Sequence, residues 1–198
     1  MALVTMAALV AGARSGRVIS FPTDTVPALG VIASQSSAIF ALKERPEDKP
    51  LILMAASLEE LFAFVDTEHP ALSNWQHLAS TKLPGALTLV LPANQRGQRL
   101  NPGSQTLGIR IPNCGSAIAI LQQTGALLTT SANKSGEPPL RELGKIAEKF
   151  PGVLVMHDRD LAAIAGSGQA STVIKWMESG WQVLRQGQVS VANLRDDM

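Results

Sequence analysis

Apolar and polar positions along this chain alternate between two rhythms. Short apolar runs of strand length are separated by stretches where apolar residues recur every three or four positions. RVISF (17–21), PLILMAA (50–56), ALTLVLP (86–92), LGIRI (107–111), ALLTTSA (126–132) and GVLVMH (152–157) predict strands. STVIKW (171–176) and WQVLRQG (181–187) predict a paired hairpin turning at Glu178-Ser179-Gly180. SSAIFALKE (36–44), HPALSNWQHLASTKL (69–83), GSAIAILQQTG (115–125) and LRELGKIAEKF (140–150) predict helices. SLEELFAFV (57–65) adds a further helix, with Ser57 and Glu60 spaced as a capping box. Ser36 or Ser37 caps the helix over 36–44, Gly125 stops the one over 115–125, and VANLR (191–195) closes the chain as a short helix. Residues 93–106 are polar, contain Gly and Pro, and read as a loop.

The opening stretch MALVTMAALVAGA has the look of a secretory h-region, and AGA has a small-x-small form. No Lys or Arg precedes it, and Leu3, Met6, Ala7 and Val10 fall on one helical face, so the expectation is a docked first helix. Strands interleaved with helices, without repeats or a linker-like tract, predict the α/β class: a single domain over 1–198, one twisted mixed sheet flanked by helices.

Composition narrows the function. The 198 residues are 45% hydrophobic and 17% charged, enough for a sizeable core and unlike a disordered chain. Seventeen Lys+Arg against sixteen Asp+Glu give a net charge of +1, which excludes a basic nucleic-acid coat and leaves room for a local basic patch. Aromatics are 4%, with no Tyr, which argues against base stacking on aromatic platforms. The one cysteine, Cys114, supports neither an internal disulfide nor a multi-thiolate metal site. No apolar run approaches the roughly 18 residues of a membrane span. There is no GxxxxGK[ST] loop, Gly166-Ser167-Gly168 is too short for a dinucleotide fingerprint, and His69, His77 and His157 lack metal-ligand spacing. Trp75, Trp176 and Trp181 read as packing residues.

Five segments are not explained by packing. Phe21-Pro22-Thr23-Asp24-Thr25 puts two hydroxyls and a carboxylate at a strand end, suited to a ligand or to an Asx or ST turn. Lys43-Glu44-Arg45-Pro46-Glu47-Asp48-Lys49-Pro50 gathers three cations, which suits a triphosphate of about four negative charges or a solvated charge run. In Gly108-Ile109-Arg110-Ile111-Pro112, period-2 geometry sets Arg110 on the face of Gly108 and Pro112. An Arg there needs an anion. A ligand carboxylate and a structural salt bridge both fit. Thr129-Thr130-Ser131-Ala132-Asn133-Lys134-Ser135-Gly136 is the densest hydrogen-bonding run. Ser171-Thr172 and Leu184-Arg185-Gln186-Gly187 lie on the terminal hairpin, with Arg185 a second anion clamp.

Taken together, FPTDTVPALG, LKERPEDKPLILM, PGALTLVLP, GIRIP, TTSANKSGEPP, STVI and LRQG resemble, in order, the threonylcarbamoyl-AMP synthase (YrdC-like) family in its short single-domain form, from about residue 17 to 187. The resemblance implies a YrdC-like fold with a large concave, positively charged cavity. It implies a cytoplasmic nucleotidyltransferase that converts L-threonine, bicarbonate and ATP, with Mg²⁺ on the ATP and no protein-held metal, into threonylcarbamoyl-adenylate and pyrophosphate. Partner proteins would then carry the threonylcarbamoyl group to ANN-codon tRNAs; direct tRNA contact stays open, and no membrane is involved. The implied catalytic residues are Lys43, Arg45 and Arg110. Thr23, Thr25, Arg110, Thr129 and Ser171 would hold threonine or its carbamate, and Lys43, Arg45, Lys49, Thr106, Ser131, Asn133 and Arg185 would hold ATP. The chain departs from the family pattern at Pro27-Ala28, where Tyr-Gly is frequent, at Asn113-Cys114, near a frequent His, and at Lys175, where Asp is frequent. Two other readings are an RNA-binding module without adenylation and a carbamoyl-adenylate-forming domain.

Overall fold

A computed structural model describes residues 3–44, 50–157 and 166–194. The elements run β1 (Leu3–Val4), α1 (Met6–Arg14), β2 (Ile19–Phe21), β3 (Ala28–Val31), α2 (Ser37–Lys43), β4 (Ile52–Met54), α3 (Leu58–Phe62) and α4 (Leu72–Lys82). They continue with β5 (Leu87–Pro92), α5 (Gln95–Gln98), β6 (Thr106–Arg110), α6 (Gly115–Thr124), β7 (Leu127–Ser131), α7 (Leu143–Lys149), β8 (Leu154–Met156), β9 (Thr172–Met177) and β10 (Gly180–Arg185). Short 3-10 turns cover Ala33–Gln35 and Val191–Leu194. All ten strands join one mixed sheet in the order β1-β8-β2-β3-β7-β4-β6-β5-β9-β10.

The two faces of this sheet have different fates. On one, Leu29, Leu53, Leu128, Ile109, Leu89 and Ile174 join the larger apolar core, together with Trp75 and Leu78 of α4, Leu61 of α3, Ile39 of α2 and Ile146 of α7. On the other, α1 and α6 bring Leu9, Val10, Ala13, Ala117, Ile120 and Leu121 onto Ile19, Phe21 and Leu154. That second cover reaches only as far as Met54 and Leu127. The same face continues across β6, β5 and β9 as the floor of a cavity. The cavity thus begins where the apolar side chains of this face give way to Thr, Gly and Arg.

Local signals explain most elements. Ser57 Oγ accepts the amide of Glu60 at 3.2 Å and so caps α3. The box is not closed reciprocally, because Glu60 instead accepts the distant Ala126 amide at 2.5 Å and ties α3 to the start of β7. Ser36 is the residue before α2, but its hydroxyl makes no cap bond. α6 ends at Gly125, with φ 74°, as its sequence predicted. Helix α1 is docked as expected, and of the predicted stripe Val10 is buried and Met6 packs against the second core. Leu3 is an exposed edge-strand residue paired with Val155, Ala7 is exposed, and the buried residues are Leu9, Val10, Gly12 and Ala13. The capping threonine Thr5, which accepts the Ala8 amide, starts the helix at Met6 and leaves Leu3 in the preceding strand.

β1 and β3 were not predicted, and neither was α5 inside the expected 93–106 loop. β3 pairs with both β2 and β7 and is buried on both faces, so its residues Ala-Leu-Gly-Val show no alternation.

Candidate active site

The cavity is about 600 Å³, within the range of small-molecule sites. Alternation builds its floor. Gly108 and Arg110 of β6, Thr88 and Val90 of β5, Val173 and Lys175 of β9, and Ile52 and Met54 of β4 face it. The residues between them (Leu107, Ile109, Leu89, Ile174, Leu53) are at most 1% exposed on the other face. Gly108 is the low point. A Cβ there would meet Ile52, Thr88 and Val90 at 3.4–3.8 Å, so the missing side chain is space that a ligand can use.

Arg110 is 3% exposed and held from three sides. Its Nε donates to the Gly85 carbonyl at 3.0 Å, one Nη to Thr25 Oγ1 at 3.0 Å, and the other Nη to Asp24 at 2.7 Å. Of the two sequence options for its anion, the structure shows the salt bridge, to Asp24, while Arg110 also lines the cavity. A guanidinium has five N–H bonds and three are used, which leaves one on each terminal nitrogen. Burial pushes the Arg110 pKa below its ordinary value and Asp24 pulls it back up; the group stays charged.

Hydrogen-bond bookkeeping fixes the proton order beside it. Thr23 Oγ1 donates its one hydrogen to the Val26 carbonyl at 2.8 Å. In the 2.9 Å contact between the two hydroxyls, Thr25 must therefore donate to Thr23. Thr25 is then left facing the cavity as an acceptor, suited to an N–H or O–H of a ligand. Thr23 does not line the cavity; it is the inner half of an ST turn that also accepts the Thr25 amide. Gly166 packs on the outside of this turn. A Cβ there would come within 2.4 Å of the Thr23 and Thr25 carbonyls, and the following amides of Ser167 and Gly168 donate to Asp24 and Thr25. The Gly-Ser-Gly run is thus a clamp on the turn.

Arg185 reaches the cavity through a β-bulge. Val183 pairs with Ile174 and Arg185 with Val173, so Leu184 is the extra residue. Without the bulge Arg185 would fall on the other face. Its Nε and one Nη donate to the Ser171 carbonyl at 3.2 and 2.9 Å. Ser171 Oγ in turn contacts Thr88 Oγ1 at 2.9 Å. Burial lowers the Arg185 pKa as well.

The hydroxyl-rich run after β7 satisfies itself more than expected. Thr129 donates to the Ile52 carbonyl, Ser131 to Asn133 Oδ1, and the Asn133 amide to the Lys134 and Glu137 carbonyls. Lys43 is completely buried behind it, and its ammonium donates to the Ser131 carbonyl and Asn133 Oδ1. Lys43 and Asn133 do not line the cavity. The structure places them as supports of the loop because α2 ends directly beneath it.

Of the residues predicted from sequence, Thr25, Thr106, Arg110, Thr129, Ser131, Ser171 and Arg185 come together on one cavity. Arg45 and Lys49 lie outside the described residues; Pro50, next in the chain, lines the cavity. Sequence reasoning passed over Thr88 and Lys175 as site residues, and it left Asp24 between a ligand contact and a turn. Thr88 had a signal, a lone hydroxyl inside the apolar run ALTLVLP. Among the described residues the lining carries the cations Arg110, Lys175 and Arg185 and no carboxylate. Cys114 is 1% exposed, directly precedes α6, and its thiol donates to the Pro22 carbonyl at 3.7 Å.

Comparison with known proteins shows what the whole chain is similar to. The pattern of the Sua5/YciO/YrdC family, described as "Telomere recombination", matches residues 12–187. A Bacillus subtilis protein named threonylcarbamoyl-AMP synthase is 33% identical over 190 residues, covering 89% of this chain and 51% of the relative. One of the same name from Histophilus somni is 30% identical, covering 88% of this chain and 94% of the relative. The crystal structure of P. abyssi Sua5 complexed with L-threonine superposes with a TM-score of 0.87 at 30% identity, covering 98% of this chain and 57% of that one. The chain therefore spans about half the length of the first of these relatives and nearly all of the second.

Proposed function

The chain belongs to the Sua5/YciO/YrdC family, and from that premise we propose that it is an L-threonylcarbamoyladenylate synthase. In the proposed reaction, threonine's amine condenses with bicarbonate to give a carbamate and water. A carbamate oxygen then attacks the α-phosphorus of ATP, the bond from that phosphorus to the bridging oxygen breaks, and pyrophosphate leaves. The carbamate is itself the nucleophile, so the protein's task is to position two anionic reactants and stabilise charge.

The observation that carries this reading is Arg110. Its two uncommitted N–H bonds match a substrate carboxylate, while Asp24, Thr25 and the Gly85 carbonyl fix the plane of its guanidinium. Thr25 accepts from the substrate amine or hydroxyl, with Thr23 holding it in register. Ser171, Thr88 and Thr129 line the rest of the threonine and carbamate region. Thr106, Ser131 and Arg185 contact ATP, and Lys43 and Asn133 hold the Ser131 loop in place from behind. Arg45 and Lys49 remain expectations of the sequence. The likeness to relatives named threonylcarbamoyl-AMP synthase and to a Sua5 bound to L-threonine supports the assignment.

Mg²⁺ enters as part of the ATP substrate. The described residues offer no group of three His, Cys, Asp or Glu side chains to cage it, so phosphate and water would supply most of its ligands. No helix among the described residues is long and apolar enough to cross a membrane. We place the reaction in the cytoplasm, with the product handed to threonylcarbamoyl-transfer proteins that act on tRNA.

The test is to incubate the pure protein with ATP, bicarbonate and each amino acid in turn, with carbamoyl phosphate as a further arm, and to measure pyrophosphate and the adenylate. Turnover with threonine alone is expected. Turnover with carbamoyl phosphate alone, or none under any condition, would refute the assignment.

A further inference from the structure

Lys175 is a cavity cation that the motif residues leave unused. A row of paired residues crosses the floor: Thr129 on β7, Ile52 on β4, Gly108 on β6, Val90 on β5 and Lys175 on β9. Paired residues share a face, so the Lys175 side chain stands on the cavity side, where it forms part of the wall. Trp176, the next residue, turns to the opposite face and stacks edge-on against Trp75 and Trp181, which fixes this stretch of β9.

The other two cavity cations are already engaged. Arg110 has Asp24, Thr25 and Gly85, and Arg185 has Ser171. Those contacts draw both guanidinium heads toward the end of the cavity bounded by Gly85 and Ser171. Lys175 sits two strands from Gly108 and one row further from that end, which puts its Cα about 12 Å from that of Arg110. Among the described residues nothing hydrogen-bonds or ion-pairs with its ammonium, and no carboxylate lines the wall it faces. An ammonium on this wall with no carboxylate lining beside it concentrates positive potential there and stabilises an anion that reaches it.

We propose that Lys175 contacts the β- and γ-phosphates of ATP, and the pyrophosphate they become, on the middle row of the cavity floor, one row beyond Arg110. This rests on the synthase reading for its reactants. The charge count selects the ligand: threonine brings one carboxylate, assigned to the Arg110 fork, whereas the triphosphate brings about four negative charges spread over a long chain. Lys suits this task, since a point charge on a flexible stem can follow a phosphate group as its bond breaks.

The experiment compares wild type with Lys175→Gln and Lys175→Arg by calorimetry with ATP and with pyrophosphate, and by steady-state kinetics. Lys175→Gln is expected to weaken both ligands about tenfold, raise the KM for ATP by a similar factor and leave the KM for threonine unchanged. Lys175→Arg is expected to restore most of the loss. Because no protein group depends on this ammonium, the thermal midpoint should stay at the wild-type value. ATP and pyrophosphate affinities in Lys175→Gln equal to wild type would overturn the assignment, as would a wild type that binds neither ligand. A wild type that binds ATP but forms no threonylcarbamoyl-adenylate would refute the synthase reading alone. A tenfold binding loss in Lys175→Gln would then still uphold the phosphate contact.

Discussion

Asp24 and Arg110, 86 positions apart in the chain, form a 2.7 Å hydrogen-bonded ion pair in which the guanidinium is 3% and the carboxylate 13% exposed. The pair couples the turn after β2 to the end of β6. It neutralises a charge that the fold has taken out of water, on a residue that also lines the cavity.

Asp24→Asn keeps the shape of this contact and removes its charge. A buried guanidinium without its counter-ion is costly, so chemical denaturation is expected to show a loss of about 3 kcal/mol. Threonine binding should weaken as well, because the guanidinium loses one of its three fixings. A variant with wild-type stability would show that solvent, not Asp24, balances the Arg110 charge.

Arg110→Lys keeps the charge and discards the fork. The KM for threonine is expected to rise about a hundredfold while the KM for ATP changes little. Equal losses for both substrates in steady-state kinetics would move Arg110 away from the carboxylate.

Gly108→Ala separates folding from function. The position lies in a β-strand without positive φ, and a Cβ meets its neighbours only at ordinary contact distances. The thermal midpoint should hold at or above the wild-type value, since Ala loses less conformational freedom on folding than Gly. The filled floor should cost more than tenfold in substrate affinity by calorimetry. Unchanged affinity would mean that ligands do not reach the floor.

Ser57→Ala removes the cap of α3 while leaving the cavity untouched. Urea denaturation should show a loss of about 1 kcal/mol, and turnover per folded molecule should equal wild type.

Most elements were legible from sequence because their signals are local. The β9–β10 hairpin, the Gly125 stop and the Ser57 cap each depend on a few neighbouring residues. The site was legible as a set of residue types: seven of the named side chains reach one cavity. Roles were harder to read. Lys43 has the composition of a phosphate ligand, yet its ammonium is spent on the loop that carries Ser131. Gly166-Ser167-Gly168 looked like a failed nucleotide motif and proved to be a clamp on the Thr23–Thr25 turn. Asp24 was visible as a turn residue, but its partner lies on a strand that enters the sheet much later in the chain.

The amino-acid order alone determined where hydrophobic periodicity changes, where helices start and stop, and which charged and hydroxyl groups stand outside any packing pattern, because each depends on contacts within a few residues. Only the three-dimensional arrangement decided that α1 and α6 cover half of one sheet face and leave the rest open. It also decided that a single extra residue at Leu184 turns Arg185 inward, and that Arg110 finds its counter-ion on Asp24. Those outcomes depend on strand register and on pairings between distant segments. A buried charge or hydroxyl takes whichever partner that register brings within about 3 Å, and no local pattern encodes it.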